Sequence, residues 1–207
     1  IRMRLVGSEM CIRDSSAPYR DPDDNYDVTD YTAAYKIDST IYDELKGFGY
    51  GKDTSDIASK DELKKIKDNE IAALEEGLLG NNQLLPISAI RDGLENTIML
   101  VERAGLPYKY ERGERQPKNY TSRMRWAGYT TPFKIDEMYF DPSSGGGGSG
   151  WKIINQKNSQ EIYSFHPEGA TLLYGDGTAK FVSEDLDPGV FANLFTRDGR
   201  EVEFRPN

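Results

Sequence analysis

The sequence predicts an α+β domain with a mostly antiparallel sheet, and three stretches carry this prediction. Asp176-Gly177 lies between two runs rich in apolar residues, which is typical of a β-hairpin. The run 96–102 places apolar side chains on both faces and predicts a central strand. Asp187 followed by Pro188 predicts the start of a short C-terminal helix.

The turn type predicts which side chains of the hairpin share a face. A type I′ turn has positive φ at both central residues, and Asp-Gly suits those positions. With this turn, Tyr174 lies opposite Ala179 in the predicted register. Two residues further from the turn, Leu172 lies opposite Phe181. Because side chains alternate along a strand, these four are expected to form one apolar face.

The N-terminal third is rich in aspartate and tyrosine. Residues 21–30 predict a solvated acidic loop; a calcium site is the alternative, although Tyr26 stands where an EF-hand requires glycine. Residues 28–35 predict a short strand or turn. The tyrosines of this third leave two roles open, stacking on sugar rings or half-burial at a polar surface, and the second is commoner.

The middle of the chain predicts a helix and two extended runs. Ser59 and Glu62 form a capping box at the start of a predicted helical insertion, about 59–80. Residues 84–90 and 96–102 are predicted to be extended on either side of Asp92-Gly93. In the second run, alternation places Ile98 and Leu100 on one face and Met99 and Val101 on the other.

Single residues at the ends of these runs also carry predictions. Asn96 and Thr97 are expected to form an Asx- or ST-type turn before the strand. Glu102 at its end is either a surface carboxylate, which we favour, or the partner of a buried arginine.

Residues 143–150 predict a flexible Gly/Ser loop inside a single domain, 16–207. Val190, Phe191, Leu194 and Phe195 are expected on one face of the last helix, with Gly199 at its C′ position and a final edge strand at Val202 and Phe204.

Composition excludes some classes of partner. The net charge of −9 over 207 residues argues against a phosphate-binding surface, so we expect no nucleic-acid partner. The single cysteine, Cys11, cannot form an intramolecular disulfide. Residues 4–15 resemble translated sequencing-adapter read-through, so we predict that 1–15 are an unstructured artefact; a natural N-terminal strand is the alternative.

Nine residues separate His166 from Asp176-Gly177, and residues 90–102 and 196–202 form two further motifs. These three motifs resemble those of one bacterial prepilin-type family of unknown function, in which the H-x9-DG spacing occurs near the C-terminal end. The family's central block resembles residues 90–102, with Asp92, Gly93, Asn96, Thr97 and Glu102 in place and Glu95 where serine is usual. Its ending resembles residues 196–202, with Thr196, Arg197 and Gly199 in place and Arg200 replacing a glycine. Gly169 completes the family-motif set, and the resemblance covers roughly residues 25 to 203.

The resemblance implies a structural function rather than an enzyme. It implies the pseudopilin-like globular head of a type II secretion or type IV pilus-like assembly, extracytoplasmic and anchored in the inner membrane in its full-length form. We expect the gene to extend upstream to a short basic leader and an apolar helix, which would meet the membrane and the pilin-like assembly partners. The head without that helix is expected to be monomeric. The alternative is a cell-surface carbohydrate-binding module that uses the tyrosine-rich region.

His166 and Asp176 suggest a catalytic dyad, but chain geometry argues against it. Their spacing of ten residues spans up to ~33 Å in a strand, so they are expected at opposite ends of the hairpin. A dyad would need another carboxylate, such as Glu102 or Asp187, beside His166. We therefore predict a structural role for His166, with no catalytic, cofactor or metal site.

Overall fold

The structure is a computed structural model that describes ten separate parts of the chain. These are residues 29–38, 41, 45, 76–79, 84–106, 108–120, 133–135, 138–140, 151–159 and 161–198. Their elements are β1 (Tyr31–Ile37), a 3-10 helix (Ile87–Ala89), β2 (Ile98–Glu102), β3 (Tyr108–Glu111), β4 (Glu114–Tyr120), β5 (Phe133–Ile135), β6 (Tyr139–Phe140), β7 (Trp151–Lys152), β8 (Gly169–Tyr174), β9 (Ala179–Ser183) and α1 (Pro188–Phe195).

The main sheet has five strands in the order β5-β1-β2-β8-β9. Three of its pairings are antiparallel, and only β1 with β5 is parallel. The pairs β3-β4 and β6-β7 form two further small sheets. The predicted α+β class with a mainly antiparallel sheet is therefore confirmed, and β2 is central as predicted.

Helix α1 covers one face of the main sheet and closes the core. Asp187 caps it as predicted, because its carboxylate accepts hydrogen bonds from Gly189 N (2.8 Å) and Val190 N (3.1 Å). Phe191 and Phe195 are buried, whereas Val190 is 38% exposed and does not belong to the predicted apolar face. Burial of a phenylalanine contributes roughly 1.5–3 kcal/mol. The core also contains Ala34, Ile37, Ile98, Val101, Phe133, Ile135, Ile153, Ile154, Ile162, Ala170, Leu172, Tyr174 and Val182.

Strand β2 does not alternate as predicted. Ile98 lies opposite Tyr174 but Leu100 lies opposite Leu173, so the register shifts between the two β2 residues. This irregularity places one extra residue in β2 and turns the side chains that follow it. The buried core residues of β2 are consequently Ile98 and Val101, and the predicted pairing of Ile98 with Leu100 on one face is wrong.

The β8–β9 hairpin has a longer turn than predicted. Tyr174 O accepts from Gly177 N (3.0 Å), and Tyr174 N donates to Thr178 O (2.9 Å), which gives a three-residue loop. Gly177 is the only residue of this loop with positive φ, so the type I′ assignment is wrong.

The longer turn moves β9 by one residue relative to the predicted register. Leu173 lies opposite Ala179, and Thr171 lies opposite Phe181. Phe181 is therefore 56% exposed on the outer face, and Val182 is the β9 residue that joins the core.

A type I′ geometry occurs instead at the β3–β4 hairpin. Arg112 (φ 49°) and Gly113 (φ 85°) are its two loop residues, and both have positive φ. The sequence interpretation missed this hairpin, because residues 108–120 are highly charged and lack an apolar alternation.

Several other predictions differ from the structure or lie outside the described residues. The run 84–90 is not extended, since it contains the 3-10 helix. Glu76–Leu79, at the end of the predicted 59–80 helix, are not helical. The other predictions lie outside the described residues: the rest of that helix, residues 1–15, the 143–150 loop, Gly199, Val202 and Phe204. Because α1 ends at Phe195 and Thr196 is extended, Gly199 is not its C′ residue. Within the described residues, no helix is both long enough and apolar enough to cross a bilayer.

Candidate functional site

The three sequence motifs meet at one end of the main sheet, in what we call the turn junction (residues 91–97, 175–177 and 197). The β8–β9 turn is bonded to the 91–97 loop, since Gly175 N donates to Thr97 O (2.9 Å) and Asp176 N donates to Leu94 O (3.1 Å). A Cβ on Gly175 would lie 2.5 Å from Leu78 Cδ1, so glycine permits this close approach. The junction is thus built mainly from backbone hydrogen bonds.

The 91–97 loop is closed by two of its own motif side chains. Asn96 Nδ2 donates to Asp92 O, and Thr97 Oγ1 donates to Gly93 O, both at 2.9 Å. Gly93 has φ +92°, a conformation that favours glycine. The expected local turn before β2 is present. Its side chains donate to carbonyls four residues earlier, whereas in an Asx- or ST-type turn they would accept.

Arg197 connects two distant segments to the turn junction. Its carbonyl accepts from Arg91 N (2.8 Å) and Asp92 N (3.3 Å). Its guanidinium donates to Gly77 O (3.0 Å) and forms a salt bridge with Glu76. Both charged side chains are largely buried, so this pair lies inside the fold rather than on its surface.

Asp176 stabilises the turn through Thr178. Its Oδ1 accepts from Thr178 N (2.9 Å) and from Thr178 Oγ1 (2.7 Å). These hydrogen bonds, the side-chain one foremost, hold the pKa of the Asp176 carboxyl below its ordinary value of 3.8. Lys180 Nζ lies over the Tyr174 ring (4.0 Å to its centroid) and donates to Glu95 O (2.8 Å).

The remaining motif residues lie at the opposite end of β8, in what we call the histidine junction (residues 155, 164–169 and 184). Asn155, at φ 63°, donates from Nδ2 to Gly169 O (3.2 Å) and accepts at Oδ1 from Ser164 N (2.7 Å). His166 N donates to Ser164 Oγ (3.0 Å). His166 is half-buried, and its hydrogen bonds with other described residues are formed by its backbone N and O.

Glu102 lies at this end of the sheet and is buried, so the favoured prediction of a surface carboxylate is wrong. Its side chain has no exposed surface, and Oε2 accepts from Thr171 N at 3.3 Å. Oε1 has no hydrogen-bond partner within the part of the chain that the structure describes. Asp30 is also buried, although the sequence placed it in the solvated acidic loop.

Sequence reasoning missed two residues that organise the loops beside the histidine junction. Asn158 is fully buried; its Oδ1 accepts from Tyr110 N (2.8 Å), and its Nδ2 donates to Ala104 O (3.0 Å) and Tyr108 O (2.9 Å). Tyr163 accepts at Oη from Gly113 N (2.9 Å), and burial raises its pKa. Asn158 is separated from its partners by about fifty residues in the sequence, which is far longer than any local motif. No sequence signal therefore indicated this role.

The geometry does not assemble the suggested dyad. His166 precedes β8 and Asp176 follows it, so the six residues of β8 separate them by roughly 20 Å. The carboxylate of Asp187 accepts the hydrogen bonds that cap α1. Among the described residues, no group of three or more His, Cys, Asp or Glu side chains could hold a metal ion. In both junctions, the hydrogen bonds among the described residues hold loops against the sheet.

The fold and its junctions define a class: an α+β domain in which loops are fastened to both ends of a mainly antiparallel sheet. Comparison with known families gives the particular one. A family model described as "Protein of unknown function (DUF1559)" matches residues 22–189, and the chain belongs to this family. The matched range spans residues 90–102 and 166–177, and it ends before residues 196–202. Searches of curated proteins and of solved structures found no match.

Proposed function

We propose that this chain is the extracytoplasmic head of a pseudopilin-like subunit in a bacterial type II secretion or type IV pilus-like assembly. In its full-length form it is anchored in the inner membrane by an apolar helix upstream of the head, and that helix carries the contacts with its assembly partners. The function is structural and involves no catalysis. The H-x9-DG spacing of His166 and Asp176 and the two further motif blocks support the prepilin resemblance.

One observation carries this proposal: four of the motif residues direct polar side-chain groups to the protein's own backbone. Asn96 and Thr97 close their loop, and Asp176 closes the β8–β9 turn. Arg197 binds the backbone of Gly77. Motif residues of an enzyme or a ligand site are expected to direct polar groups into a cleft instead. Residues that fasten the chain to itself fix the shape of the domain, and a packed assembly requires subunits of fixed shape.

The proposal is tested on the intact gene expressed in its bacterial host. We expect the mature protein in the inner-membrane fraction. We also expect cross-links to other pilin-like subunits through the upstream helix, either chemical cross-links or disulfides between cysteines introduced into that helix. Deletion of the gene should reduce secretion or filament assembly. An intact locus that encodes a cleavable signal peptide and no lasting apolar segment would overturn the proposal.

A carbohydrate-binding surface module is the second candidate, and the exposure of one tyrosine favours it. Tyr31 in β1 is 42% exposed, and flat aromatic rings of this kind can stack on sugars. Glycan-array binding by the wild-type chain that Tyr31→Ala removes, with Tyr31→Phe as the control that keeps the ring, would favour this function. Lack of binding together with an assembly defect would favour the pseudopilin-like head.

A further inference from the structure

The two edges of the main sheet differ in how far the rest of the chain covers them. At one edge, the β5 residues Phe133 and Ile135 are each 1% exposed. At the other edge, four of the five residues of β9 (Ala179–Ser183) are exposed, and Val182 is the buried one. An uncovered strand at the end of a sheet presents backbone N–H and C=O groups that can pair with a further strand. We therefore call β9 the open edge.

The β8–β9 ladder determines which backbone groups of the open edge are bonded to β8. Tyr174 N donates to Thr178 O, and Glu184 N donates to Glu168 O, both at 2.9 Å, so a hydrogen-bonded pair lies at each end of the ladder. Hydrogen-bonded pairs occupy every second position of an antiparallel ladder. The even-numbered residues of β9 are therefore the ones bonded to β8.

The odd-numbered residues of β9 direct their backbone groups away from β8. They are Ala179, Phe181 and Ser183. Among the described residues, Ser183 O accepts from Leu186 N (3.2 Å), and no other backbone hydrogen bond involves these outward groups. The open edge thus offers donors and acceptors at the spacing of a strand, so an extended backbone is the chemistry that fits it.

The open edge lacks the features that usually prevent such pairing. It contains no proline, and five consecutive residue pairs join it to β8 without a register shift. Its one charged residue is Lys180, whose Nζ donates to Glu95 O (2.8 Å) and lies over the Tyr174 ring. The ammonium group is therefore held against the protein's own surface and does not protect the edge.

The sequence of β9 favours a second copy of β9 as the occupant. Phe181 is the middle residue of the strand, so a two-fold axis beside it pairs two antiparallel copies over their whole length. Ala179 then lies opposite Ser183 of the second copy, which brings two small side chains together. The two Phe181 rings, each 56% exposed in the single chain, lie directly opposite one another, and aromatic pairs of this kind stabilise antiparallel strands.

The Phe181 ring is already held in place for this contact. A Cβ on Gly169 would lie 2.7 Å from Phe181 Cζ, so the ring lies across the glycine of the neighbouring strand. A side chain that is ordered before binding loses less conformational freedom when a partner covers it.

Charge and area predict that the pairing is weak. The net charge of −9 makes two copies repel one another at long range. Locally, β9 contains one cation and no anion, and Lys180 would lie diagonally across from Glu184 of the second copy. We expect two five-residue strands to bury less than the ~1,200 Å² of a standard interface. Association should therefore need a high protein concentration and should strengthen as salt screens the repulsion.

We propose that the open edge pairs with β9 of a second copy, antiparallel about Phe181, and joins two five-stranded sheets into one. Phe181 N donates to Phe181 O of the second copy, and Ser183 N donates to Ala179 O of the second copy, in both directions. Composition led us to expect a monomer, but it carries no information on which backbone groups stay unpaired. The inference rests on the described sheet edge and is independent of the proposed assembly and of any upstream helix.

Single cysteines test the pairing and its register. In a Cys11→Ser background, Phe181→Cys is compared with Ile87→Cys, whose native side chain is 71% exposed but belongs to the 3-10 helix. Directly opposed residues of this kind have Cα atoms ~5.5 Å apart, within the range of a disulfide, so Phe181→Cys should form linked dimers at least about tenfold faster. Mixed Ala179→Cys and Ser183→Cys chains should link faster than either variant alone. Equal rates for Phe181→Cys and Ile87→Cys, or preferential linkage of Phe181→Cys to Ser183→Cys chains, would overturn the proposal.

Sedimentation equilibrium of the whole chain gives the second readout. The wild type should form a dimer that increases with protein concentration and with a rise in salt from about 20 mM to about 150 mM. Phe181→Pro removes an outward N–H, and proline is tolerated at such edge positions, so this variant should stay monomeric with near-unchanged circular dichroism. Ile87→Asp is the control and should dimerise like the wild type.

Two results of this experiment would overturn the proposal: a wild type that is monomeric at every concentration, or a folded Phe181→Pro variant that dimerises as strongly as the wild type. The cysteine comparison leaves every backbone group in place, so it decides the question even where proline perturbs β9.

Discussion

The β8–β9 turn requires a positive φ at Gly177. Its φ is +85°, and a Cβ there would meet no heavy atom within 4 Å. A β-branched residue is strained at such an angle, so Gly177→Val should lower the free energy of unfolding by about 1–3 kcal/mol. Urea denaturation of the two proteins measures this difference.

Asp176→Asn is the matched control for that substitution. Asparagine keeps the Oδ1 that accepts from Thr178 N and Thr178 Oγ1, and it suits turns equally well. The midpoint of Asp176→Asn should therefore stay close to that of the wild type. If the valine and asparagine variants unfolded at the same urea concentration, positive φ at Gly177 would not be what limits this turn.

Asn158 gives a second prediction at the scale of one residue. Asn158→Ala would leave Tyr110 N, Ala104 O and Tyr108 O without their buried partner. We expect a loss of roughly 2–4 kcal/mol of stability, because unsatisfied buried groups are costly. Gln116→Ala is the control: among the described residues, the Gln116 side chain forms one long hydrogen bond, to Glu114 O (3.4 Å). This substitution should change stability by less than about 0.5 kcal/mol. A comparable effect of the two substitutions, measured by thermal unfolding, would contradict the role of Asn158.

At the scale of elements, substitutions of two arginines, Arg197 and Arg91, should reduce stability by very different amounts. Arg197→Gln removes the buried partner of Glu76 and the hydrogen bond to Gly77 O, so we expect a loss of about 3–5 kcal/mol. Arg91→Gln removes a salt bridge whose arginine side chain is 59% exposed, and it should cost no more than about 1 kcal/mol. Chemical denaturation of both variants tests this. Equal losses would show that burial does not distinguish the two pairs.

Elements with local signals were predictable from the sequence, and those that depend on distant partners were not. The cap and proline at the start of α1 lie beside the helix they begin, and that helix is confirmed at Pro188–Phe195. The β2 register shift arises from pairing with β8, some seventy residues away, and alternation alone could not reveal it. The β3–β4 hairpin is likewise fixed by Asn158 and Tyr163.

The candidate site was predictable as separate motifs but not as two junctions. The residues of 92–97 and 176–177 were identified from sequence, and each makes a local turn. Their meeting depends on backbone bonds from Gly175 and Asp176 to the 91–97 loop. Backbone groups are alike in every residue, so the sequence carries no mark of which carbonyl a distant N–H will reach.

At the scale of the whole molecule, three titratable side chains should make the free energy of unfolding fall at alkaline pH. Burial raises the pKa of Tyr163 despite hydrogen bonding from Gly113, and burial alone raises the pKa of Tyr174. Burial lowers the pKa of Lys152, but its ion pairs with Glu184 and Asp185 outweigh that effect and raise it above 10.5. In each case the folded chain holds its proton to a higher pH than the unfolded chain does.

The protein should therefore lose stability as pH rises above about 10. Above the unfolded pKa values, near 10.0 for the tyrosines and 10.5 for lysine, the unfolded state releases these protons first, so the free energy of unfolding falls until the folded groups also titrate. Each such proton contributes a slope of about −1.4 kcal/mol per pH unit. Urea titrations at pH 8, 10 and 11 measure this slope, and Tyr174→Phe should make it shallower because phenylalanine cannot ionise. A free energy of unfolding that stays constant over this range, or a slope that the phenylalanine variant retains in full, would show that burial of Tyr174 does not raise its pKa.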